Sequence, residues 1–322
     1  MKQNHLYPLI FNPVIKNYIW GGRTFEKLVQ SSDPAAPIAE IWTVYEGNPI
    51  KNGPLAGKTL LDLVAEDGEA LLGSRSGQIS GRFPLLIKLL DCAQWLSVQV
   101  HPTDEQAKRL ERQDFGKTEA WHILKAEPGA QLIAGVKPGV SPDALRQAIL
   151  GGSSILNVLQ KHAIHAQDTI FIPAGTIHAL GPGAIVYEVQ QTSNITYRVY
   201  DWDRPRTAGR DLHLSQSIQV ANPDALVQVQ PYPTESFSGS HTLVTCPYFQ
   251  LESLQSDGGA LEMNTRGESF HALTLVNGSV TLKFREETFH LNPLETILVP
   301  AACGAYRLTG TFQMLQSSLG AR

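Results

Sequence analysis

The sequence has few cysteines, no excess of basic charge and no long apolar run. Its three cysteines, Cys92, Cys246 and Cys303, include no CxxC pair, which excludes a disulfide framework and a thiolate zinc site. A formal net charge of -4 argues against the basic surface of a nucleic-acid-binding protein. The start of the chain contains Asn, Pro and Lys throughout, and no later stretch approaches a membrane span. We therefore expect a cytoplasmic protein that binds neither nucleic acid nor membrane.

The composition predicts a mainly β protein. At 322 residues, of which 42% are hydrophobic, the chain can bury a large core, and its length suggests about two domains. The 27 glycines and 20 prolines separate short β-branched runs such as AIVYEVQ and TILVPA, which is typical of a barrel or sandwich. Helix-capping signals predict helices at residues 59–72, 103–112 and 141–150. We expect these helices to be insertions around a barrel.

An internal repeat indicates that the barrel is duplicated. DTIFIPAG at residues 168–175 returns as ETILVPAA at 295–302, an offset of 127. Upstream, Glu119 aligns with Glu268 at an offset of 149, and an inserted helix at 141–150 would absorb the difference. Ala305 occupies the position of His178, so only the first copy can bind a metal. The alternative is that this short match is merely a common strand-and-turn sequence.

The segment between the two copies predicts the domain boundary. Residues 222–243 are rich in Pro, Ser, Thr and Asn and show no sustained periodicity, as linkers do. We place the boundary near residue 235. The expected domains are residues 1–235, which carry the metal site, and residues 236–322, a degenerate barrel without metal ligands.

Four side chains form a candidate metal site. In SVQVHP, Gln99 and His101 project from one face of a strand, about 7 Å apart. Glu119 begins a later strand, and His178 follows a tight Pro-Gly turn where a barrel would open. Imidazole and carboxylate suit zinc, iron, manganese or nickel. The alternative is that both histidines are ordinary buried residues with satisfied hydrogen bonds.

Several motifs resemble one enzyme family. YIWGG, FPLLIKLLD, LSVQVHP, GKTEAWHIL, IPAGTIHAL and TYRVYDWDR are similar to motifs of the type I phosphomannose isomerases, which belong to the cupin superfamily. The resemblance spans nearly the whole chain. It implies two cupin barrels and one zinc ion per chain, and it assigns the four ligands to Gln99, His101, Glu119 and His178. It also implies interconversion of mannose 6-phosphate and fructose 6-phosphate.

The same resemblance suggests a set of residues around the substrate. It places Arg198 in the active site as a catalytic and substrate-binding residue, and it places Lys88 and Lys117 in the pocket. Lys88 stands inside an apolar run, PLLIKLLD, where lysine is rarely buried unless it is paired. Lys117 precedes Glu119 by two residues, so both side chains can face the barrel interior. A solvent-facing position remains the alternative for each lysine.

One departure from the family pattern concerns proton transfer. Many relatives have Asp four residues before the arginine, whereas this chain has Asn194, and an amide cannot act as a base. Either the chain is impaired, or Lys117, His122 or Asp201 takes the role. A non-catalytic sugar-phosphate-binding or regulatory cupin is therefore the alternative function, and an iron-dependent cupin dioxygenase is a third. We expect a monomer or weak homodimer that acts on a small sugar phosphate.

Overall fold

The structure is a computed structural model that describes residues 6–29, 33–77, 81–205, 210–233 and 237–320. Strands make up most of the regular structure, as expected. In chain order they are β1 (Leu9–Ile10), β2 (Val14–Lys16), β3 (Glu40–Val44), β4 (Leu85–Cys92), β5 (Val98–Val100), β6 (Glu119–Ala126), β7 (Gln131–Val136), β8 (Leu159–Ala163), β9 (Thr169–Ile172), β10 (His178–Leu180), β11 (Ala184–Gln191), β12 (Tyr197–Tyr200), β13 (Val229–Gln230), β14 (Gly239–Thr245), β15 (Phe249–Asn264), β16 (His271–Gly278), β17 (Val280–Phe284), β18 (Glu287–Leu291), β19 (Thr296–Val299) and β20 (Ala305–Leu319).

The three predicted helices are confirmed. The α-helices are α1 (Leu60–Leu72), α2 (Asp104–Glu111), α3 (Pro142–Leu150) and α4 (Leu214–Val220), and short 3-10 helices lie at Thr24–Lys27, Ser74–Ser76, Gly152–Asn157 and Ala301–Cys303. Thr103 and Gln106 form the predicted capping box at the start of α2. Ser141 caps α3, and Pro142 occupies its first turn. Because these signals act within one turn, they can be recognised without knowledge of the tertiary fold.

Contacts divide the chain into two compact units. One consists of Met1–Val14, Trp42–Lys88 and Pro233–Arg322, and the other of Ile15–Ile41 and Leu89–Tyr232. The division is discontinuous because β1, near the start of the chain, pairs with β19, near its end. The boundary expected near residue 235 falls on residues 234–236, outside the described residues. The assignment of domains to 1–235 and 236–322 stays a prediction.

The unit that contains the C-terminal strands includes an eight-stranded antiparallel sheet. Within the described residues its strands run in the order β1-β19-β16-β20-β15-β14, and β17 pairs with both β18 and β20. The pairing of β15 with β20 is the longest and extends from Phe249 opposite Leu319 to Asn264 opposite Ala305.

The unit made of Ile15–Ile41 and Leu89–Tyr232 carries the candidate metal site. One of its sheets has the order β12-β5-β10-β7-β8, and β13-β9-β6-β11 run side by side in another. Two clusters of buried apolar side chains pack within this unit, one around Trp121 and Ile172 and one around Val98 and Ile177. Cys92, Cys246 and Cys303 are free and buried.

The repeat is visible in the strands themselves. β9 and β19 have the same length at the offset of 127, and β10 and β20 begin at His178 and Ala305, which are also 127 residues apart. The strand pairings correct the upstream alignment. Glu119 lies opposite Ile172, and His271 lies opposite Val299. Since Ile172 and Val299 correspond, the counterpart of Glu119 is His271 rather than Glu268, and the alignment at an offset of 149 is wrong by three residues.

Candidate metal centre

Strand β5 and the residue after it supply the first pair of candidate ligands. Gln99 lies at the centre of β5, and His101 immediately follows the strand. Only 1% of His101 is exposed. Its Nδ1 lies 2.8 Å from the carbonyl oxygen of Ile195, so this nitrogen donates a hydrogen bond and Nε2 is the nitrogen left to accept.

Glu119 is the first residue of β6 and is completely buried. It lies opposite Gln190 of β11 and Ile172 of β9, so strands on both sides hold its backbone. A carboxylate in this position is costly to bury unless cations or hydrogen-bond donors surround it. Lys117 provides one such cation, with its Nζ 2.9 Å from Glu119 Oε2.

A tight turn delivers His178 to the same place. Gly175 has a φ of +89°, and a Cβ there would lie 3.1 Å from the carbonyl oxygen of Val220, so glycine suits this position for two reasons. Its N–H donates to the carbonyl oxygen of His101 at 2.8 Å. This bond ties the turn before β10 to the residue after β5. His178 then pairs with Gln99 across the sheet.

The donor atoms of three buried residues converge. One ligand atom from each of His101, Glu119 and His178 lies within 4.8 Å of the others. His178 Nε2 is 3.2 Å from Glu119 Oε1, and His101 Nε2 is 3.7 Å from Glu119 Oε2. The three residues that the sequence singled out as charged or imidazole ligands are therefore brought together.

Both histidines present a lone pair to this cluster. His178 Nδ1 donates to the carbonyl oxygen of Thr176 at 2.9 Å, and burial, followed by the charge of Lys117, lowers the pKa of His178 to about 3. The imidazole is therefore neutral, and its Nε2 is an acceptor. His101 Nε2 lies 3.0 Å from Lys117 Nζ, and because an ammonium group only donates, this nitrogen also accepts.

The fourth candidate ligand lies beside these three. Gln99 Nε2 is 3.3 Å from His178 Nε2. The nitrogen and oxygen of an amide exchange places when the group turns by half a rotation, and the surrounding hydrogen bonds decide which atom occupies a given position. A turned Gln99 would present Oε1 at the same point, so the neutral amide fits the set.

Comparisons with known proteins identify the family. Residues 9–120 match the model of the phosphomannose isomerase type I catalytic domain. The chain is 32% identical over 319 residues to the probable mannose-6-phosphate isomerase GmuF of Bacillus subtilis, covering 97% of this chain and 99% of the relative. It is 33% identical to the mannose-6-phosphate isomerase of Streptococcus mutans, covering 96% of this chain and 98% of that one. The chain belongs to the type I phosphomannose isomerase family.

Solved structures agree with this assignment. The mannose 6-phosphate isomerase of Bacillus subtilis superposes with a TM-score of 0.86 at 33% identity, covering 97% of this chain and 99% of that one. A zinc-bound mannose 6-phosphate isomerase shares the fold, with a TM-score of 0.77 at 16% identity, covering 98% of this chain and 100% of that one. As a member of the type I phosphomannose isomerase family, the chain is an enzyme of the isomerase class. Among the described residues, no helix is both long and apolar enough to span a membrane.

Strand pairing aligns Arg198 with two of the candidate metal ligands. Arg198 of β12 pairs with Gln99, and Gln99 pairs with His178. Residues directly opposite in adjacent strands share a face of the sheet, so the three side chains lie on one face. Arg198 donates from Nη1 to the carbonyl oxygen of Asp211 at 3.0 Å. Its Nε is buried and has no hydrogen-bond partner among the described residues.

Lys88 is buried, with 6% of its surface exposed, and it lies on β4, every residue of which is buried. This rules out the solvent-facing alternative. Its Nζ lies 5.5 Å from the ring centroid of Trp42, a cation–π distance. Lys88 belongs to the unit that includes Trp42–Lys88, and the metal centre belongs to the other. A role for Lys88 with substrate stays a prediction.

The structure separates the three residues suggested as replacements for a base at Asn194. His122 accepts or donates at Nδ1 with Thr169 Oγ1, 2.9 Å away, and alternation along β6 places it on the opposite face from Glu119. Asp201 holds two arginines through both carboxylate oxygens, Arg204 and Arg210. Asn194 is itself exposed. Of the three suggested residues, Lys117 is the one that contacts candidate ligands, namely Glu119 and His101.

Three contributors escaped sequence reasoning. The carbonyl oxygens of Thr176 and Ile195 orient the two imidazoles, but a backbone carbonyl carries no signal in the residue type. Trp121 packs edge-on against His178, with ring centroids 5.3 Å apart, and it donates from Nε1 to Glu188 Oε2 at 3.1 Å. Its spacing of two from Glu119 could have placed it on the ligand face.

Proposed function

We propose that this chain interconverts mannose 6-phosphate and fructose 6-phosphate, using one zinc ion held by His101, Glu119, His178 and Gln99. The convergence of three buried donor atoms within 4.8 Å carries the proposal. It is supported by two relatives matched over nearly their full length, a probable mannose-6-phosphate isomerase at 32% identity and a mannose-6-phosphate isomerase at 33% identity.

The donor set suits a metal ion on chemical grounds. The lone pair of His178 Nε2 and the Glu119 carboxylate face each other at 3.2 Å, and two acceptors at this distance repel unless a cation or proton lies between them. Imidazole nitrogens with one carboxylate oxygen are typical zinc ligands, and a neutral amide completes the four. When bound, zinc would supply Lewis acidity and polarise the oxygens of the sugar.

The protein's own cations fit the remaining needs of the reaction. An aldose–ketose isomerisation moves a proton between C1 and C2 and passes through an enediolate, whose negative oxygens need fixed positive charge. Lys117 contributes such a charge at the cluster, 2.9 Å from Glu119 Oε2. We assign it, as an ammonium group, to stabilising that charge. Arg198, with a buried Nε that has no partner among the described residues, is assigned to binding and orienting substrate oxygens.

Other parts of the proposal rest on the family likeness. Lys88 is proposed as a substrate-binding lysine. Residues 1–235 and 236–322 are each proposed to contain one cupin barrel, and the matching strands at an offset of 127 support an origin by duplication. A cytoplasmic location and a monomeric or weakly dimeric state remain predictions.

An assay with mannose 6-phosphate, in which fructose 6-phosphate formation is coupled to a reporter enzyme, tests this function. We expect turnover that follows zinc content. Zinc-loaded protein that binds mannose 6-phosphate without forming fructose 6-phosphate would instead support a non-catalytic sugar-phosphate-binding cupin, the reading that Asn194 motivates. Oxygen consumption by iron-loaded protein would point to the dioxygenase.

A further inference from the structure

A polar cavity lies in the unit that contains the C-terminal strands. Its volume is about 360 Å³, within the range of small-molecule sites. Two cross-strand pairs of β15 and β20 form one wall, Gln250 opposite Ser318 and Glu252 opposite Gln316. Alternation places these four side chains on one face of the sheet. None of them belongs to the metal centre, so the cavity is a separate feature.

Gln316 lines this cavity and carries a buried acceptor. Only 4% of the residue is exposed, and its Nε2 donates to Glu252 Oε2 at 2.8 Å. Its Oε1 has no hydrogen-bond partner among the described residues. Turning the amide would bring Oε1 against a carboxylate oxygen, so the observed orientation is the favourable one. A buried acceptor without a partner costs about 1–3 kcal/mol. Because Oε1 has almost no exposed surface, a ligand's donor group would reach it, and remove this cost, as the Gln316 side chain shifts toward the cavity.

The rest of the wall offers donors and acceptors side by side. Ser240 Oγ donates to Glu252 Oε1 at 2.6 Å, so that carboxylate is held from both sides. Arg75 forms an ion pair with Glu268, at 2.5 Å. His271 Nδ1 lies 2.8 Å from the hydroxyl of Tyr306. Burial, with a smaller contribution from the charge of Arg75, lowers the pKa of His271 to about 4, so the imidazole is neutral near pH 7.

The charge of the lining argues against an anion. Three carboxylates, from Glu252, Glu262 and Glu268, exceed the two guanidinium groups of Arg75 and Arg266. Because Arg75 is already paired with Glu268, a phosphate would find no uncommitted excess of positive charge there. A hydroxyl group, by contrast, both donates and accepts, and can satisfy Gln316 Oε1 while accepting from a neighbouring donor.

We propose that this cavity binds a neutral hexose. The duplication adds an independent reason, because His271, the counterpart of Glu119 by strand pairing, lines it. The second copy of the fold thus retains a polar cavity at a position related to the metal centre, with the metal ligands replaced. The cavity wall therefore suits binding of sugar hydroxyl groups and not catalysis of a reaction of the sugar.

Titration of the full chain with d-mannose and d-glucose, followed by ligand-observed NMR, tests the proposal. The His178→Ala protein is used alongside the parent so that the metal centre does not contribute. We expect saturable binding of at least one hexose to both proteins, and hydrogen-exchange protection of peptides covering residues 250–252 and 316–318. Absence of saturable hexose binding to the His178→Ala protein, or hydrogen-exchange protection confined to peptides outside residues 250–252 and 316–318, would overturn the proposal.

Two variants assign the binding to Gln316. Gln316→Met keeps the side-chain length and removes the acceptor, whereas Glu252→Gln removes no volume and lets the Gln316 amide turn. Each should weaken hexose binding at least fivefold and leave isomerase turnover unchanged. Gln313→Met, on the same strand but outside the cavity lining, is the matched control and should bind as the parent does. Unchanged affinity in Glu252→Gln would overturn the assignment even if Gln316→Met failed to fold.

Discussion

His178 Nε2 lies 3.2 Å from Glu119 Oε1, and both atoms are hydrogen-bond acceptors. The other nitrogen of the ring is committed to the carbonyl oxygen of Thr176, so the ring cannot turn to relieve this contact without losing a buried hydrogen bond. Lys117 and His101 complete the surroundings of the carboxylate. The arrangement could hold a metal ion, and the following predictions depend on that proposal.

His178→Ala should remove zinc and turnover while the fold remains. Loss of one of four ligands should weaken zinc binding by more than about 100-fold, since even the loss of an outer hydrogen bond costs 10- to 100-fold. The fold should tolerate the change, because pairing with Gln99 on one side and Ala134 on the other holds the backbone at His178. Zinc content by mass spectrometry and circular dichroism check this. His165→Ala, at a largely exposed histidine, is the control, and full zinc stoichiometry in His178→Ala would contradict the assignment.

Lys117→Gln should lower kcat while zinc is retained. Removing one positive group aimed at developing charge typically costs about 10²- to 10³-fold, so we expect a loss in that range. Lys125→Gln provides a matched control, because Lys125 lies on β6, is mostly exposed and pairs with Glu127. Steady-state kinetics with parallel zinc analysis distinguish the two. Turnover within twofold of the parent would remove Lys117 from the mechanism.

Arg198→Ala should lower turnover by about 10²-fold, the typical effect of removing one donor aimed at developing charge. The metal should stay bound, because Arg198 reaches the site through its register with Gln99 rather than as a ligand. Arg198→Lys should recover part of the loss, since a charge returns without the planar fork. Steady-state kinetics of both variants check this. Unchanged kcat and KM in Arg198→Ala would exclude a role for Arg198 in substrate binding and turnover.

His122 should affect stability and its pH dependence rather than catalysis. Burial lowers the pKa of His122 to about 4, whereas an unfolded histidine titrates near 6.5. Below pH 6.5 the unfolded chain therefore binds the proton more readily, and stability falls as the pH drops toward 4. His122→Gln should reduce the loss of unfolding free energy between pH 7 and pH 5 by about 2 kcal/mol. Urea unfolding at both pH values measures this, and an unchanged difference would show that His122 is not buried as a neutral ring.

Local signals made much of the fold predictable. The caps at Thr103 and Ser141 act within one turn of their helices, so their sequence motifs suffice. The pairing of β1 with β19 joins residues almost 290 positions apart in the chain, and no local pattern encodes it. The upstream repeat alignment was wrong by three residues because it matched Glu119 to Glu268, which is the same residue type. Strand pairing shows that His271 stands at the position that corresponds to Glu119.

The candidate site was predictable in its side chains and not in its backbone. His101, Glu119 and His178 carry recognisable ligand chemistry, and they do converge. The carbonyls of Ile195 and Thr176, which orient the imidazoles, depend on tertiary structure alone. The same limitation applies to the choice among Lys117, His122 and Asp201, because only the fold shows that two arginines already hold Asp201.

Turnover of mannose 6-phosphate before and after removal of zinc tests the central claim most directly. The protein is stripped with a chelator, dialysed, and assayed for fructose 6-phosphate with and without added zinc, while its zinc content is measured in each state. We predict one zinc per chain in the active protein, loss of activity on stripping and recovery when zinc returns. Undiminished turnover by protein shown to be free of metal would contradict the account.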